Sequence, residues 1–237
     1  MKNRSRGFGL VEIMVALVLG LVVSLGIIQI FTASRATFVA QNASARMQED
    51  ARFVLSKMLQ ELRLAGMYGC LQFDSVLASG AIVKPAALNN PILWDATNQA
   101  LTIVTADVGT AGTSPTWTII SDCQTTSQLY PNAKAPAAGQ TAFPLRQLIY
   151  RLNGTELTMQ VGTGTGQPQT LLQNVARFDI WFGMRGQPMT YSPANIPISA
   201  GNGADVLSVR IRLEMSDPTA NVRNQQFNAV AYLRNRF

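Results

Sequence analysis

The pattern of hydrophobic and polar positions changes near residue 31. Phe8 through Phe31 contains a single ionisable side chain, Glu12, and the stretch from Ile13 to Ile28 carries no charge. A helix of about 20 apolar residues is long enough to cross the hydrocarbon core of a bilayer. The pattern therefore predicts a transmembrane helix over residues 8–33.

A different helical pattern follows. From Ser34 to Leu64 there is no proline or glycine, charged side chains become frequent, and apolar positions recur at helical spacing. These apolar positions are Met47, Ala51, Val54, Leu55, Met58 and Leu62. We predict an amphipathic stalk helix over residues 34–66, with Gly66 as its stop. With the apolar segment it forms one continuous helix from about Leu10 to Leu64.

The pattern from residue 67 onwards is typical of strands. Asn153-Gly154 separates candidate strands at 147–152 and 156–161, which indicates a tight hairpin. Further strands are predicted at 101–104, 117–120, 176–182 and 225–234, with long loops at 105–116, 131–144 and 186–204. The chain is therefore predicted to have an α+β fold, in which the long helix packs on an antiparallel sheet that forms the head, residues 67–237.

The stretch from Val206 to Met215 shows the clearest alternation of the head. Alternate residues of a strand point to opposite faces of its sheet. The inward positions are predicted to be Leu207, Val209, Ile211, Leu213 and Met215. The outward positions are predicted to be Ser208, Arg210, Arg212 and Glu214.

Composition narrows the candidate chemistry. The chain of 237 residues has no histidine, which excludes Ser-His-Asp and Cys-His triads and histidine-ligated zinc. Two cysteines cannot supply a four-cysteine metal site. No paired carboxylates or other catalytic constellation stand out. We therefore expect no enzyme activity, catalytic residue, metal or cofactor.

The net charge of +6 has an uneven distribution. Three of the basic side chains lie in the first seven residues, and the remainder holds 16 basic against 13 acidic residues, an ordinary surface. A basic stripe would form if the last two strands pair, from Arg210, Arg212, Arg234 and Arg236. Such a stripe could bind DNA, but we favour a solvated strand face that blunts a sheet edge, and we do not expect a nucleic-acid partner.

The two cysteines follow different elements. Cys70 comes directly after the helix and Cys123 follows a strand. The basic flank before the apolar segment should stay in the cytoplasm, which exports everything after that segment. We therefore favour a disulfide bond that ties the end of the helix to the sheet, over two buried thiols.

Three classes of protein share an N-terminal segment of this kind: secreted proteins with a signal peptide, proteins with a signal anchor, and prepilins. A signal peptide needs a small-residue cleavage site, and Ser24, Gly26 and Ala33 offer a poor one. A signal anchor leaves Glu12 unexplained unless its carboxylate reaches the membrane surface. A carboxylate inside hydrocarbon costs roughly 2.5–3.5 kcal/mol on insertion scales.

The residues Gly7-Phe8-Gly9-Leu10-Val11-Glu12, behind a short basic peptide, resemble the class III leader of type IV prepilins. The resemblance implies that a prepilin peptidase cuts after Gly7, that residues 1–7 are removed, and that Phe8 becomes the N-methylated terminus. It also implies that Glu12 neutralises the amine of a neighbouring subunit. Gly9 departs mildly from the usual Thr or Ser. Gln29 replaces the usual helix-breaking proline, which favours a minor pilin or a pseudopilin.

Three features of the head resemble the PilW family of minor pilins: the hairpin 150–154, the strand 206–213 and the ending Leu-Arg-Asn-Arg. The resemblance implies an inner-membrane subunit with one span and a periplasmic head, which primes type IV pilus assembly and stays near the tip. Implied partners are other minor pilins, the major pilin, the inner-membrane platform and a tip adhesin, in the service of twitching motility and adhesion. The alternatives are a minor pseudopilin of type II secretion, a DNA-binding tip subunit and a signal-anchored periplasmic enzyme.

Overall fold

The long helix is the first element of the fold. The computed structural model describes residues 9–71, 77–78, 82–107, 114–163, 166–186, 190–192, 196–199 and 201–233. Helix α1 runs from Leu10 to Arg63, 54 residues, which is about 80 Å at 1.5 Å per residue. Gly66 follows with a φ of 77°, a left-handed conformation that glycine adopts without strain. The predicted continuous helix is thus confirmed, and it ends at Arg63, three residues before Gly66.

The rest of the described chain is mainly strands, with one short α-helix, α2, at Ala86–Asn89 and a 3-10 turn at Gly203–Asp205. The strands are β1 Leu77–Ala78, β2 Ile92–Asp95, β3 Ala100–Ala106, β4 Trp117–Ser121, β5 Ser127–Pro131, β6 Thr141–Asn153, β7 Glu156–Val161, β8 Gln169–Leu172, β9 Val175–Met184, β10 Thr190–Ser192, β11 Val206–Met215 and β12 Gln225–Tyr232. They form two sheets. The larger has eight strands and the smaller has four, in the order β10-β9-β11-β12. Helix packed on sheets confirms the predicted α+β class.

The larger sheet branches at β6, its longest strand. Along one edge β6 pairs with β3, which in turn pairs with β2. Along the other edge it pairs first with β4 and then, further along, with β7. Strand β5 pairs with β4, and strand β8 pairs with β7. All these pairs are antiparallel, and the exception in this sheet is the short parallel pair of β1 with β5.

The main hydrophobic core lies between α1 and both sheets. The helix contributes the six side chains that its sequence pattern predicts to face inward: Met47, Ala51, Val54, Leu55, Met58 and Leu62. Trp94 of the larger sheet meets Phe178 of the smaller one edge to face, with ring centroids 6.2 Å apart. The same Trp94 exchanges two backbone hydrogen bonds with Ile198 (2.9 and 3.1 Å), which covers the edge strand β2. A second cluster fills the other face of the larger sheet.

The predicted hairpin is confirmed, with a shifted turn. Asn153 pairs with Glu156, so the two loop residues are Gly154 and Thr155. Gly154 has a φ of 60°, as at the first central position of a type II′ turn, where glycine avoids a steric penalty. The Asn-Gly signal therefore locates the hairpin correctly, but glycine stands one position earlier in the turn than it does in a type I′ turn.

The predicted facing of β11 is wrong at its first residues. The register between β11 and β9 shifts between Val206 and Ser208, so that Val206 and Ser208 are both fully buried while Leu207 is half-buried. An extra residue in one strand interrupts the alternation of faces. From Val209 to Met215 the predicted alternation holds.

Candidate assembly site

The N-terminal half of α1 has no covering in the described structure. The helix is long and apolar enough to span a membrane, and none of its most apolar 18-residue window is buried. Leu10, Leu21 and Ile30 expose 75, 62 and 72% of their surface. Apolar side chains surround the helix here, as in segments that lipid or other helices cover. This half is therefore the part of the molecule that requires partners.

Glu12 lies in the first turn of this helix. Its backbone N–H donates to the carbonyl of Gly9 (3.0 Å), and its side chain is exposed. A negative charge near a helix N-terminus interacts favourably with the helix dipole. The predicted cleavage and methylation residues, Gly7 and Phe8, lie outside the described residues, so their roles stay predictions.

The helix passes without interruption through its two glycines and through Gln29, the position where the resemblance leads one to look for a helix-breaking proline. Gly20, Gly26 and Gln29 are all helical. The Ser24 hydroxyl donates to the Gly20 carbonyl (2.8 Å), a bond within the helix. The absence of proline at position 29 thus coincides with an unbroken helix.

The C-terminal half of α1 joins the head from about Ala40 onwards. The side-chain amide of Gln225, at the start of β12, donates to the Ser44 hydroxyl (2.6 Å), a polar contact between the helix and the head. Met47 begins the buried stripe. Residues 10–39 consequently project from the head over about 45 Å at 1.5 Å per residue. The domain boundaries predicted at residues 33 and 66 stay predictions.

In the structure Cys70 and Cys123 form a disulfide bond, with Cα atoms 5.4 Å apart. The bond joins the segment after α1 to the loop between β4 and β5. Gly69 precedes it with a φ of 125°, and a side chain there would come within 2.9 Å of the Phe143 ring. The close packing of this corner thus requires glycine beside the cysteine, a constraint that the sequence pattern does not reveal.

Asp122 organises the loop that holds Cys123. Its carboxylate accepts hydrogen bonds from the backbone N–H groups of Gln124, Thr125 and Thr126 at 2.8–2.9 Å. These bonds, of which that from Thr126 has the largest effect, hold the pKa of Asp122 well below its ordinary value of 3.8. Cys123 itself adopts a φ of 59°, which is uncommon for a residue with a side chain. The ionised Asp122 therefore stabilises the turn in which the disulfide bond is made.

Two of the four predicted basic residues lie on the outer face of the smaller sheet. Arg212 forms a salt bridge with Asp179 (2.5 Å) and lies 4.7 Å from the centre of the Trp181 ring. Arg210 lies 5.7 Å from the same ring and is exposed. Arg234 and Arg236 lie outside the described residues. Asp179 neutralises the charge of Arg212. Of these two arginines, Arg210 is therefore the one that leaves a positive charge on this face.

An open cleft of about 740 Å³ lies between α1 and the loops after β8 and β11. It contains two carboxylates, Asp50 and Asp217. Asp217 accepts hydrogen bonds first from Thr219 and then from the backbone of Asn221 and Val222, which lowers its pKa below the ordinary value. Its oxygens thus serve the turn between β11 and β12. Among the described residues, no three His, Cys, Asp or Glu side chains are grouped as metal ligands.

Comparison with known protein families finds a match at the N-terminus of the chain. A family model for the prokaryotic N-terminal methylation motif matches residues 2–28, which include the basic flank, Phe8, Glu12 and the apolar run. No curated protein matches the chain. The motif and the exposed N-terminal helix together support a type IV pilin-like or pseudopilin subunit that is anchored in a membrane. Such a subunit is a structural protein and a substrate of the enzymes that process prepilins.

Proposed function

We propose that this protein is a PilW-like minor pilin, which primes the assembly of type IV pili and remains near the pilus tip. The observation that carries the proposal is the unbroken α1 helix, whose apolar residues 10–31 are exposed while its C-terminal half is anchored in the head. A pilin needs this arrangement, because the helix must pass from lipid into a bundle of other helices while the head stays folded.

The proposed chemistry of assembly rests on Glu12. Cleavage after Gly7 leaves an amine at Phe8, in surroundings of low dielectric. Either charge alone is costly there, whereas a pair compensates both. We propose that the Glu12 carboxylate forms an ion pair with the amine of a neighbouring subunit. The carboxylate then destabilises the single subunit in the membrane but fixes the register of the subunits in the polymer.

The same reasoning gives a location and partners. Before assembly the protein crosses the inner membrane once, with residues 1–7 in the cytoplasm and the head in the periplasm. Its partners are other minor pilins, the major pilin, the assembly platform and a tip adhesin. A minor pseudopilin of type II secretion is the second candidate, because its leader has the same form and because α1 continues through Gln29, where major pilins have proline.

Two measurements test the proposal. The N-terminal mass of the protein from membranes should correspond to a chain that starts at methylated Phe8, and a chain that retains residues 1–7 in a host with active prepilin peptidase would contradict the proposal. Deletion of the gene should abolish twitching while secretion continues. Loss of secretion with normal twitching would support the pseudopilin instead.

The role of Glu12 is tested by Glu12→Gln, which keeps shape and removes charge. We expect normal membrane insertion and a loss of pilus incorporation on the order of tenfold or more, since one uncompensated charge remains in the assembly. Glu49→Gln, at an exposed position on the stalk, is the matched control and should incorporate normally. Incorporation of Glu12→Gln at the wild-type level would refute the charge pairing.

A further inference from the structure

Strand β12 is an edge of the smaller sheet. One side of β12 pairs with β11 over the whole length from Gln225 to Tyr232. On its other side, no strand of the described chain pairs with it. By contrast, the edge strand β2 of the larger sheet is covered by its two backbone hydrogen bonds with Ile198.

The register shows which backbone groups point to the open side. The N–H of Leu233 donates to the carbonyl of Leu207 (2.9 Å), and bonded pairs alternate with non-bonded pairs in an antiparallel ladder. The odd-numbered residues of β12 therefore bond to β11. The even-numbered residues direct their N–H and C=O groups outward: Gln226, Asn228, Val230 and Tyr232. Their side chains are exposed as well, by 39% for Val230 and 55% for Tyr232.

This edge lacks the usual protection against strand pairing. Folded proteins blunt exposed edges with charged residues, proline or bulges. Residues 225–232 contain no charge and no proline, and their pairing with β11 has no register shift. The pairs β9–β11 and β7–β8 do have such shifts. A regular, uncharged edge of eight residues is therefore suited to accept another strand.

A second copy of this chain is excluded as the symmetric occupant by the direction of α1. Gln225 contacts Ser44 at the end of the head where α1 enters, and the inward side chains of β12, up to Ala231, pack in the same core as the buried stripe of α1. From that end of the head α1 and β12 therefore run in the same sense. Two-fold antiparallel pairing of β12 with β12 would reverse one helix relative to the other. The two apolar N-terminal halves would then point in opposite directions and could not share one bilayer.

We propose that β12 accepts an extended segment of a different pilus subunit, which becomes the fifth strand of the smaller sheet. Backbone hydrogen bonds to the four even-numbered residues supply affinity, and side chains on the outer face supply specificity. The inference rests on the proposed function, since an assembly subunit must also contact its neighbours through the head.

The outer face defines the chemistry of the segment. Val230 and Tyr232 offer an apolar surface beside the new strand. Arg210, which stands opposite Val230 on β11, is about 10 Å from the new strand at 4.8 Å per strand spacing. In the structure the Arg210 guanidinium lies 5.7 Å from the centre of the Trp181 ring on β9, the strand on the side of β11 away from β12. It therefore has to turn from that ring before an arginine and a glutamate side chain can span this distance together. The expected segment therefore has an apolar residue beside Val230 and a carboxylate within reach of Arg210.

The test compares Val230→Pro with Val230→Thr in the full-length chain, in a host that assembles the pilus. Proline removes an N–H that faces the open side and leaves the ladder to β11 intact, a position where edge strands accept proline. Threonine keeps the N–H and is the matched control. We expect both variants to retain the wild-type unfolding midpoint. Incorporation of Val230→Pro should fall about tenfold, and Val230→Thr should match the wild type.

The outcomes separate the two proposals. If the wild type itself is not incorporated, the proposed function fails. If the wild type and Val230→Pro are incorporated equally, the strand addition is refuted while the function stands.

Hydrogen exchange of the wild type provides a measurement that does not depend on any variant. The amides of Asn228 and Val230 should exchange quickly in membranes that contain this chain alone and be protected at least about tenfold in the assembled pilus. Unchanged exchange would refute the proposal. Protection already present in the chain alone would show that the edge is covered without another subunit, by this chain or by a second copy, and would overturn the choice of partner.

Discussion

The two halves of α1 have the same secondary structure and opposite surroundings. Over residues 10–31 every large apolar side chain is exposed. From Met47 to Leu62 one stripe of the helix is fully or almost fully buried in the head. No break in the helix separates them. The backbone is therefore equally helical in both halves. The halves differ in the surroundings that their side chains require: lipid or other helices for the first half, and the core of the head for the second.

This difference shows how a single helix can serve two purposes. The stability of the head depends on the stripe of the second half, because burial of apolar surface is the main favourable term in folding. The first half contributes nothing to the core, so its sequence can be devoted to the membrane and to other subunits. Changes in the two halves should consequently have separable effects.

The same substitution in each half should give the largest contrast. Leu62 is fully buried and Leu21 is 62% exposed, near the middle of the apolar segment. Leu62→Asp removes a core side chain and buries a carboxylate, at a cost on the order of 5 kcal/mol or more. We expect it to unfold the head, as measured by protease resistance and denaturant titration.

Leu21→Asp is the counterpart. The head should keep its unfolding midpoint, whereas membrane insertion should weaken by about 3 kcal/mol, as measured by the inserted fraction. A head destabilised by Leu21→Asp would show that the two halves are not independent. A stable head in Leu62→Asp would show that the stripe does not anchor the helix.

Loss of the disulfide bond should have the next largest effect, and this effect should be confined to the head. Cys70 and Cys123 are 53 positions apart in the sequence, and a cross-link over such a loop contributes about 4 kcal/mol in the chain-entropy model. Cys123→Ser should destabilise the head by about this amount and expose one reactive thiol on Cys70, while membrane insertion stays unchanged. A wild-type protein that shows two thiols after export would contradict the pairing.

Sequence periodicity predicted the helix well, and for a physical reason. The six buried positions of α1 are those of the predicted stripe, because a helix that packs along one face must repeat apolar residues at its own period. The hairpin at Gly154 was similarly visible, since its turn requires a residue that tolerates positive φ.

The head was predicted less completely, because its structure depends on contacts distant in sequence. Strands β2, β5 and β8 are short, and their pairing partners rather than their own patterns define them. Strand β6 starts six residues before its predicted beginning and includes Pro144, which disfavours a strand locally. Its N-terminal part pairs with β4 on one edge.

The candidate site was predictable in its chemistry and not in its surroundings. Glu12 stands out as a lone charge in an apolar run. The compensation of Arg212 by Asp179 depends on the pairing of β9 with β11. The open side of β12 becomes visible only when the order of all strands in the sheet is known.

The smallest contrast concerns two serines, one in each half of α1. The Ser44 hydroxyl accepts a hydrogen bond from Gln225, across the junction of helix and head, whereas the Ser24 hydroxyl donates within the helix to Gly20. Ser44→Ala leaves the Gln225 amide without this partner and should cost about 1 kcal/mol of head stability. Ser24→Ala should leave head stability unchanged, because its bond is local and lies outside the head. Denaturant midpoints of the two variants measure the difference, and equal midpoints would mean that the junction at Ser44 adds nothing to the anchoring that the buried stripe provides.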